Sequence, residues 1–258
     1  MGDSMKIGIA FTMFNCVDYS KAAVESIRTS VKYHMILIDD FSMDGTKEWM
    51  RNLTRTDSNC LSIEKIVDED TNSLGQKWNL AAQRAKDLGC DAVLICNNDI
   101  LFSPNTIDNL VIRLEAALNS GENVALVSAH NLRGQINSQD ILTRVASKDT
   151  SESEGPDFSC FLLDLTSWEK VGKFAEIYIP CYFEDNDFHT MLRVYDLKAI
   201  ATTAAPYYHY GSITQNSVPD GLCKSPQFEK NRDIFIAKFD ALPDKIDIDY
   251  LKKKFLTI

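Results

Sequence analysis

A chain of 258 residues, 45% hydrophobic and 25% charged, is long enough for a large α/β domain with a substantial core, and its balance is that of an ordinary globular protein. The formal net charge of −10 argues against broad contact with nucleic acid or anionic lipid, while leaving room for a small anionic ligand held by local donors or a metal. Seven scattered cysteines (Cys16, Cys60, Cys90, Cys96, Cys160, Cys181 and Cys223) without C-x-x-C spacing read as reduced thiols of a cytoplasmic protein and not as a zinc cluster.

No apolar run reaches membrane-spanning length and no signal-peptide stretch opens the chain. A soluble protein is expected, with peripheral membrane contact left open. Met1 to Ser4 precede a second methionine, Met5, and are set aside as an expression remnant.

Ile7-Gly8-Ile9-Ala10-Phe11, within residues 6–12, predicts the first strand. A loop over residues 13–18 leads to a helix over residues 19–31, with Ala23, Val24, Ile27 and Val31 on one face. Met35-Ile36-Leu37-Ile38 predicts a second buried strand ending in Asp39-Asp40. After the turn Phe41-Ser42-Met43-Asp44-Gly45-Thr46, a helix carries Trp49, Met50 and Leu53. A third strand lies within residues 61–67. Thr71 to Gly75 leads into a helix with Leu74, Trp78, Ala81, Ala82, Ala85 and Leu88 on one stripe, capped by Gly89.

Val93-Leu94-Ile95-Cys96 reads as a strand buried on both faces that runs into Asn97-Asn98-Asp99. A helix with Ile107, Leu110, Val111, Leu114 and Leu118 follows, then a strand at residues 124–127. This β-α-β-α order predicts a mostly parallel central sheet with helices on both faces. Residues 130–154 lose periodicity and read as a long mobile segment able to act as a lid.

Residues 158–163 predict a strand, residues 166–171 a short helix stopped by Gly172, and the pattern is helical again from Asp187. A strand at residues 198–203, a turn at residues 207–212, a helix at residues 226–239 and a short helix at residues 248–255 complete the chain.

Ligands of open α/β sheets bind outside the carboxyl ends of the strands. Asp39-Asp40 and Asn98-Asp99 end two strands expected to be neighbours, so both open on one edge. The turn after the first strand, Thr12-Met13-Phe14-Asn15, has no glycine, which excludes a Rossmann phosphate turn, and no P-loop is present. A hard divalent cation at Asp99 is the substitute for carrying phosphate oxygens. Taken alone, Asn-Asn-Asp is better read as turn and cap residues, since Asn and Asp are ordinary in turns.

Glu184-Asp185-Asn186-Asp187 places three carboxylates within four residues. A helix N-terminus accounts for one or two of them; a general base would account for another, its proton affinity raised by mutual repulsion. His209, among tyrosines, is either a structural residue or a member of a metal shell.

Taken together and in order, Ile9-Ala10-Phe11-Thr12-Met13-Phe14-Asn15, Ile38-Asp39-Asp40-Phe41-Ser42-Met43-Asp44-Gly45-Thr46, Cys96-Asn97-Asn98-Asp99-Ile100 with Pro104, Val171-Gly172-Lys173-Phe174, Tyr182-Phe183-Glu184-Asp185-Asn186-Asp187-Phe188 and His209-Tyr210-Gly211-Ser212 resemble family 2 glycosyltransferases of the GT-A fold. The resemblance covers roughly residues 6–239. It implies a single GT-A domain over residues 1–258, with a nucleotide-sugar donor half (1–130), an acceptor half (131–240) and a C-terminal tail (241–258).

The activity implied is inverting, metal-dependent transfer of a hexosyl or deoxyhexosyl group from a nucleotide-diphosphate sugar to a hydroxyl of a saccharide or glycoconjugate, as in polysaccharide biosynthesis. Thr12, Asn15, Asp39, Asp40 and Asn98 would line the donor site, and Asp99 and His209 would hold Mn2+ or Mg2+. Asp185 would be the base, with Glu184 the competing choice. Lys77 and Trp78 fall in a helix near the donor. Two departures are visible: Asn97-Asn98-Asp99 has one carboxylate where many relatives have two, and Phe174-Ala175-Glu176 lacks the usual central Asp. The alternatives are a nucleotide-sugar-binding protein without turnover and transfer onto a nucleic-acid base, the second disfavoured by charge.

Overall fold

The computed structural model describes residues 5–68, 73–146, 150–211, 213 and 226–256. Met1–Ser4, Thr71, Ser212 and Cys223 lie outside the described residues. In chain order the elements are β1 (Ile7–Met13), α1 (Val17–Glu25), β2 (Tyr33–Asp39), α2 (Thr46–Asn52), β3 (Cys60–Val67), α3 (Leu74–Asp87), β4 (Ala92–Asn97), β5 (Ile100–Phe102), α4 (Thr106–Ser120) and β6 (Val124–Asn131). After a 3-10 turn at Ser138–Thr143 come β7 (Glu152–Glu154), β8 (Cys160–Asp164), α5 (Leu165–Val171), α6 (Glu184–Val194), β9 (Lys198–His209), α7 (Pro226–Phe239) and α8 (Ile248–Leu256).

One sheet runs in the order β3-β2-β1-β4-β8-β6-β9-β5, with β7 also on β9. The first four strands are parallel. β8 enters antiparallel between β4 and β6, so the sheet is mixed beyond β4. Alternation along each strand feeds two cores. Ile7, Ile9 and Phe11 of β1, Met35 and Leu37 of β2, and Leu94 and Cys96 of β4 pack with α1, α2 and α4. Ala10, Ile36, Ile38, Val93 and Ile95 pack on the other face with α3, α5 and α6. The small residues are on that second face for a reason: a Cβ on Gly8 would meet the Ala85 Cβ of α3 at 2.8 Å, so α3 rides close to the strand.

Three sequence expectations change. α1 stops at Glu25, short of residue 31, because the Ser26 hydroxyl turns back to the Ala23 carbonyl at 2.7 Å and accepts the Phe102 N–H at 3.1 Å. The described parts of residues 130–154 are not structureless: the 3-10 turn buries Ile141 against Leu101 and Leu132, and β7 pairs with β9. The turn expected at residues 207–212 begins later, because β9 continues through His209 to pair with β5. β5 has three residues, too few to show a strand period in sequence. The C-terminal segment packs on α6 through Val194, Phe235, Phe239 and Leu251.

Candidate active site

The site is built where β1, β2 and β4 end. Thr12, buried, lies opposite Ile38 on one side and Asn97 on the other. The expectation that β2 and β4 are neighbours is therefore corrected: β1 lies between them. Asp39-Asp40 and Asn98-Asp99 still open on one edge, flanking the turn after β1. In that turn Asn15 and Cys16 take left-handed backbone conformations (φ 55° and 63°).

Three loops are tied together there. Asn15 donates its backbone N–H to Ser42 Oγ at 2.7 Å, and its side-chain oxygen accepts the Met43 N–H at 2.8 Å. The Asn98 amide donates to the Asn15 carbonyl at 3.0 Å and to Ser20 Oγ at 2.9 Å. Asn15 and Asn98 are thus placed as braces of the cleft.

Asp39 is fully buried. Its Oδ2 accepts the Ser42 N–H at 3.2 Å, while Oδ1 has no partner among the described residues. Burial holds its carboxyl above the usual range, against the opposing Ser42 hydrogen bonds. An orphaned buried carboxylate oxygen at a strand end is the kind of atom a ligand hydroxyl or N–H satisfies.

Asp40 is more open and pairs with Lys77 Nζ at 2.9 Å; the same Nζ reaches Asp68 Oδ2 at 3.2 Å. Burial pushes Asp40 up and Lys77 pulls it down. The Lys77 side chain is almost entirely buried, so a cation from α3 is locked between the acids that end β2 and β3. Sequence reading missed Asp68. Its signal was available: a third apolar strand terminates in an acid on the same edge. Trp78, one residue on, turns away into the core against Phe158, Phe161 and Phe174.

Asp99 and His209 come together through the sheet. β5 and β9 pair with Ile100 opposite His209, and the Tyr210 N–H closes on the Asp99 carbonyl at 3.0 Å. The imidazole Nε2 then sits 3.0 Å from Asp99 Oδ1. Two ligands at right angles around a cation, with bonds of ~2.1 Å, stand about 3.0 Å apart, so one carboxylate oxygen and one imidazole nitrogen at this spacing fit Mn2+ or Mg2+. Among the described residues no group of three or more His, Cys, Asp or Glu side chains is placed to hold a metal. Any cation here would draw its remaining ligands from water and substrate phosphate, which is the usual habit of Mg2+.

The acids of residues 184–187 all fall in the first turn of α6, one turn earlier than the periodicity indicated. Their roles separate by contact. Asp187 is buried and saturated: it accepts from the Tyr178 hydroxyl at 2.8 Å and from Lys238 Nζ at 2.7 Å on both oxygens. Glu184 is buried where α6 meets α3, within 3.5 Å of where a Cβ on Gly75 would stand. Asp185 is half-buried and accepts from the backbone and side-chain nitrogens of Asn186, at 2.7 and 2.9 Å. Burial raises its pKa against those hydrogen bonds. The expected cause, mutual repulsion, gives way to desolvation.

Two contact paths tie α6 to the strand ends. Gly75, two residues ahead of Lys77 on α3, abuts Glu184, and Leu74 donates to the Pro180 carbonyl at 2.9 Å. On the other side, Asn97 donates to the Ser159 carbonyl at 3.0 Å, and neighbouring Phe158 faces the His189 ring at 6.4 Å. In the 174–176 segment, Asn79 takes the role of clamp, bonding Phe174 N and O and Glu176 Oε1 at 2.8–2.9 Å.

A family model described as Glycosyl transferase family 2 matches residues 9–149. Among solved structures, mannosyltransferase PcManGT from Pyrobaculum calidifontis, in complex with GDP-Man and Mn2+, is similar with a TM-score of 0.61 and 16% identity over 80% of this chain and 57% of that one. S. aureus TarS 1-349 in complex with UDP-GlcNAc gives 0.60 and 15% over 98% and 72%, and GalNAc-T7 with UDP, GalNAc and Mn2+ gives 0.66 and 14% over 97% and 54%. The chain therefore spans little more than half the length of the first and last of these. At such identities the likeness is one of fold, that of GT-A glycosyltransferases. No curated protein matches the sequence.

Proposed function

The chain belongs to glycosyl transferase family 2, whose model spans more than half of it, and from that premise we propose that it is an inverting glycosyltransferase using a nucleotide-diphosphate sugar. The observation that carries this reading is the meeting of Asp99 and His209 at 3.0 Å, on the same edge as the Asp40–Lys77 pair. That three structural relatives were solved with GDP-Man, UDP-GlcNAc or UDP, two of them with Mn2+, supports the ligand class.

In this reading residues 1–130 bind the donor and residues 131–240 the acceptor, with 241–258 as a C-terminal tail. Thr12, Asp39 and Asp40 face the nucleoside, with the free Asp39 Oδ1 accepting from it, and Asn15 and Asn98 hold the loops in place. Asp99 and His209 hold Mn2+ or Mg2+, which when bound supplies Lewis-acid stabilisation of the departing diphosphate. Asp185 accepts the proton of the acceptor hydroxyl as that oxygen bonds to the anomeric carbon and the bond from that carbon to the phosphate oxygen breaks. Its raised proton affinity makes it a better base than an exposed carboxylate. Glu184 is the competing base; its position in the α3–α6 seam favours Asp185. The acceptor is a saccharide or glycoconjugate hydroxyl, since the net charge of −10 disfavours nucleic acid.

A second reading, a nucleotide-sugar-binding protein without turnover, is favoured by the single carboxylate in Asn97-Asn98-Asp99. A thermal-shift screen of UDP, GDP and their sugars, with and without Mn2+, tests ligand class, because a ligand bound only by the folded state raises the melting temperature. Release of UDP or GDP from the stabilising sugar nucleotide then separates enzyme from binder. No shift with any nucleotide would reject both readings.

A further inference from the structure

The cleft has a further cation that none of the sequence motifs includes. Arg133 stands in a tight turn after β6: Gln135 donates to the Leu132 carbonyl at 3.0 Å, and Gly134 takes φ 81°. The turn is strapped to the end of β9. Leu132 donates to the Tyr207 carbonyl at 2.9 Å, and one oxygen, Asn131 Oδ1, accepts both the Arg133 N–H at 3.0 Å and the His209 N–H at 3.2 Å. Arg133 and His209 therefore share a single backbone anchor.

From that turn the guanidinium reaches over Gly211, two residues beyond His209. A Cβ there would collide with Arg133 Nη1 and stand 3.2 Å from Cζ. Gly211 also has φ 70°, so its backbone favours glycine, and a larger residue there would displace the flexible end of Arg133. Arg133 is an exposed residue, and no carboxylate among the described residues pairs with its guanidinium. Of the other cations near the cleft among the described residues, Lys77 is neutralised by Asp40 and Asp68, and Lys47 lies over the Phe41 ring and acts on Asp39.

Resting on the reading of this cleft as a nucleotide-sugar site, we propose that the Arg133 guanidinium binds the donor diphosphate beside Asp99 and His209. A planar fork of N–H donors suits two phosphate oxygens at once, and a fixed positive charge there meets the negative charge that grows on the diphosphate as its bond to the sugar breaks. It also accounts for a site with one carboxylate in Asn97-Asn98-Asp99: part of the phosphate charge is carried by the protein.

The test is calorimetric titration of the full chain with UDP and GDP, UMP and GMP, and uridine and guanosine, with Mn2+ present, for the native protein, Arg133→Ala and Arg133→Lys. Removing a charge-assisted contact of this kind corresponds to roughly a tenfold to hundredfold loss. That loss is expected for the diphosphate with Arg133→Ala, with partial retention by Arg133→Lys and little change for the nucleoside. Unchanged thermal melting without ligand is expected for both variants. Native protein that binds a diphosphate while Arg133→Ala binds it equally well, or loses nucleoside affinity in the same proportion, overturns the assignment of Arg133 alone. Native protein that binds no diphosphate overturns the nucleotide-sugar reading itself.

Discussion

His209 Nε2 lies 3.0 Å from Asp99 Oδ1, and the pair exists because a three-residue strand, β5, is hydrogen-bonded to the last residues of β9. Asp99 immediately precedes β5 and His209 ends β9, so the ladder that builds the sheet edge also sets the spacing between carboxylate and imidazole. Asp99→Ala and His209→Ala should each weaken Mn2+-dependent binding of a nucleoside diphosphate by about tenfold or more, since each would remove one of the two proposed protein ligands. Binding measured in chelator should change far less. Titrations with equal affinity for both variants in Mn2+ would remove the cation from these two residues.

Asp185→Asn keeps the size of the side chain and removes its basicity. Loss of a general base costs on the order of 10²–10⁴-fold in turnover, and the proposed donor site lies on other elements. Transfer should fall by that factor while affinity for the donor nucleotide holds. Near-normal turnover would pass the role to Glu184. Asp187→Asn offers a contrast, because its carboxylate is occupied by Tyr178 and Lys238. It should lower stability by about 1–3 kcal/mol through the broken buried bonds with turnover per folded molecule largely kept.

Burial raises the Asp185 pKa, and a base works only when deprotonated. Activity should therefore be lost as pH falls through that raised value, so the acidic limb of the rate profile lies above the usual carboxylate range. The limb should be visible in kcat at saturating donor. A limb at the ordinary carboxylate pKa would mean that the titrating group is solvated, and Asp185 is not.

Much of this was legible in the chain. The strands of residues 7–13, 33–39 and 92–97 carry continuous apolar runs at residues 7–11, 35–38 and 92–96, and burial on both faces leaves that trace directly. The Leu74-to-Leu88 stripe and the helix at residues 226–239 follow from a 3.6-residue period. The strand order was less accessible. Nothing in the sequence says that β1 sits between β2 and β4, or that β8 enters antiparallel, since both are set by long-range pairing. β5 was too short to show a period, and with it went the reason His209 belongs beside Asp99. The acids at the strand ends and in the first turn of α6 could be picked out by position, but their division of labour could not: Asp187 is tied down by Lys238 from α7, and Asp40 by Lys77 from α3. Those partners are identified only by packing.

Lys77 gives the last test. Its buried ammonium holds the Asp40 and Asp68 carboxylates at 2.9 and 3.2 Å, and Lys77→Met leaves two like charges facing an apolar side chain. Breaking a fully buried pair costs roughly 3–5 kcal/mol; Asp40 and Asp68 keep some contact with water, which brings the expected loss to about 2 kcal/mol at neutral pH. The sign with pH follows from Asp40. Burial already raises its folded pKa, and without the ammonium it rises further, so the folded variant takes up a proton more readily than the unfolded chain. The variant's deficit should be largest above that raised pKa and should shrink as pH falls through it. Chemical denaturation at neutral and mildly acidic pH measures this directly. A deficit that stays constant across that range would mean that Lys77 stabilises through its aliphatic stem, not its charge.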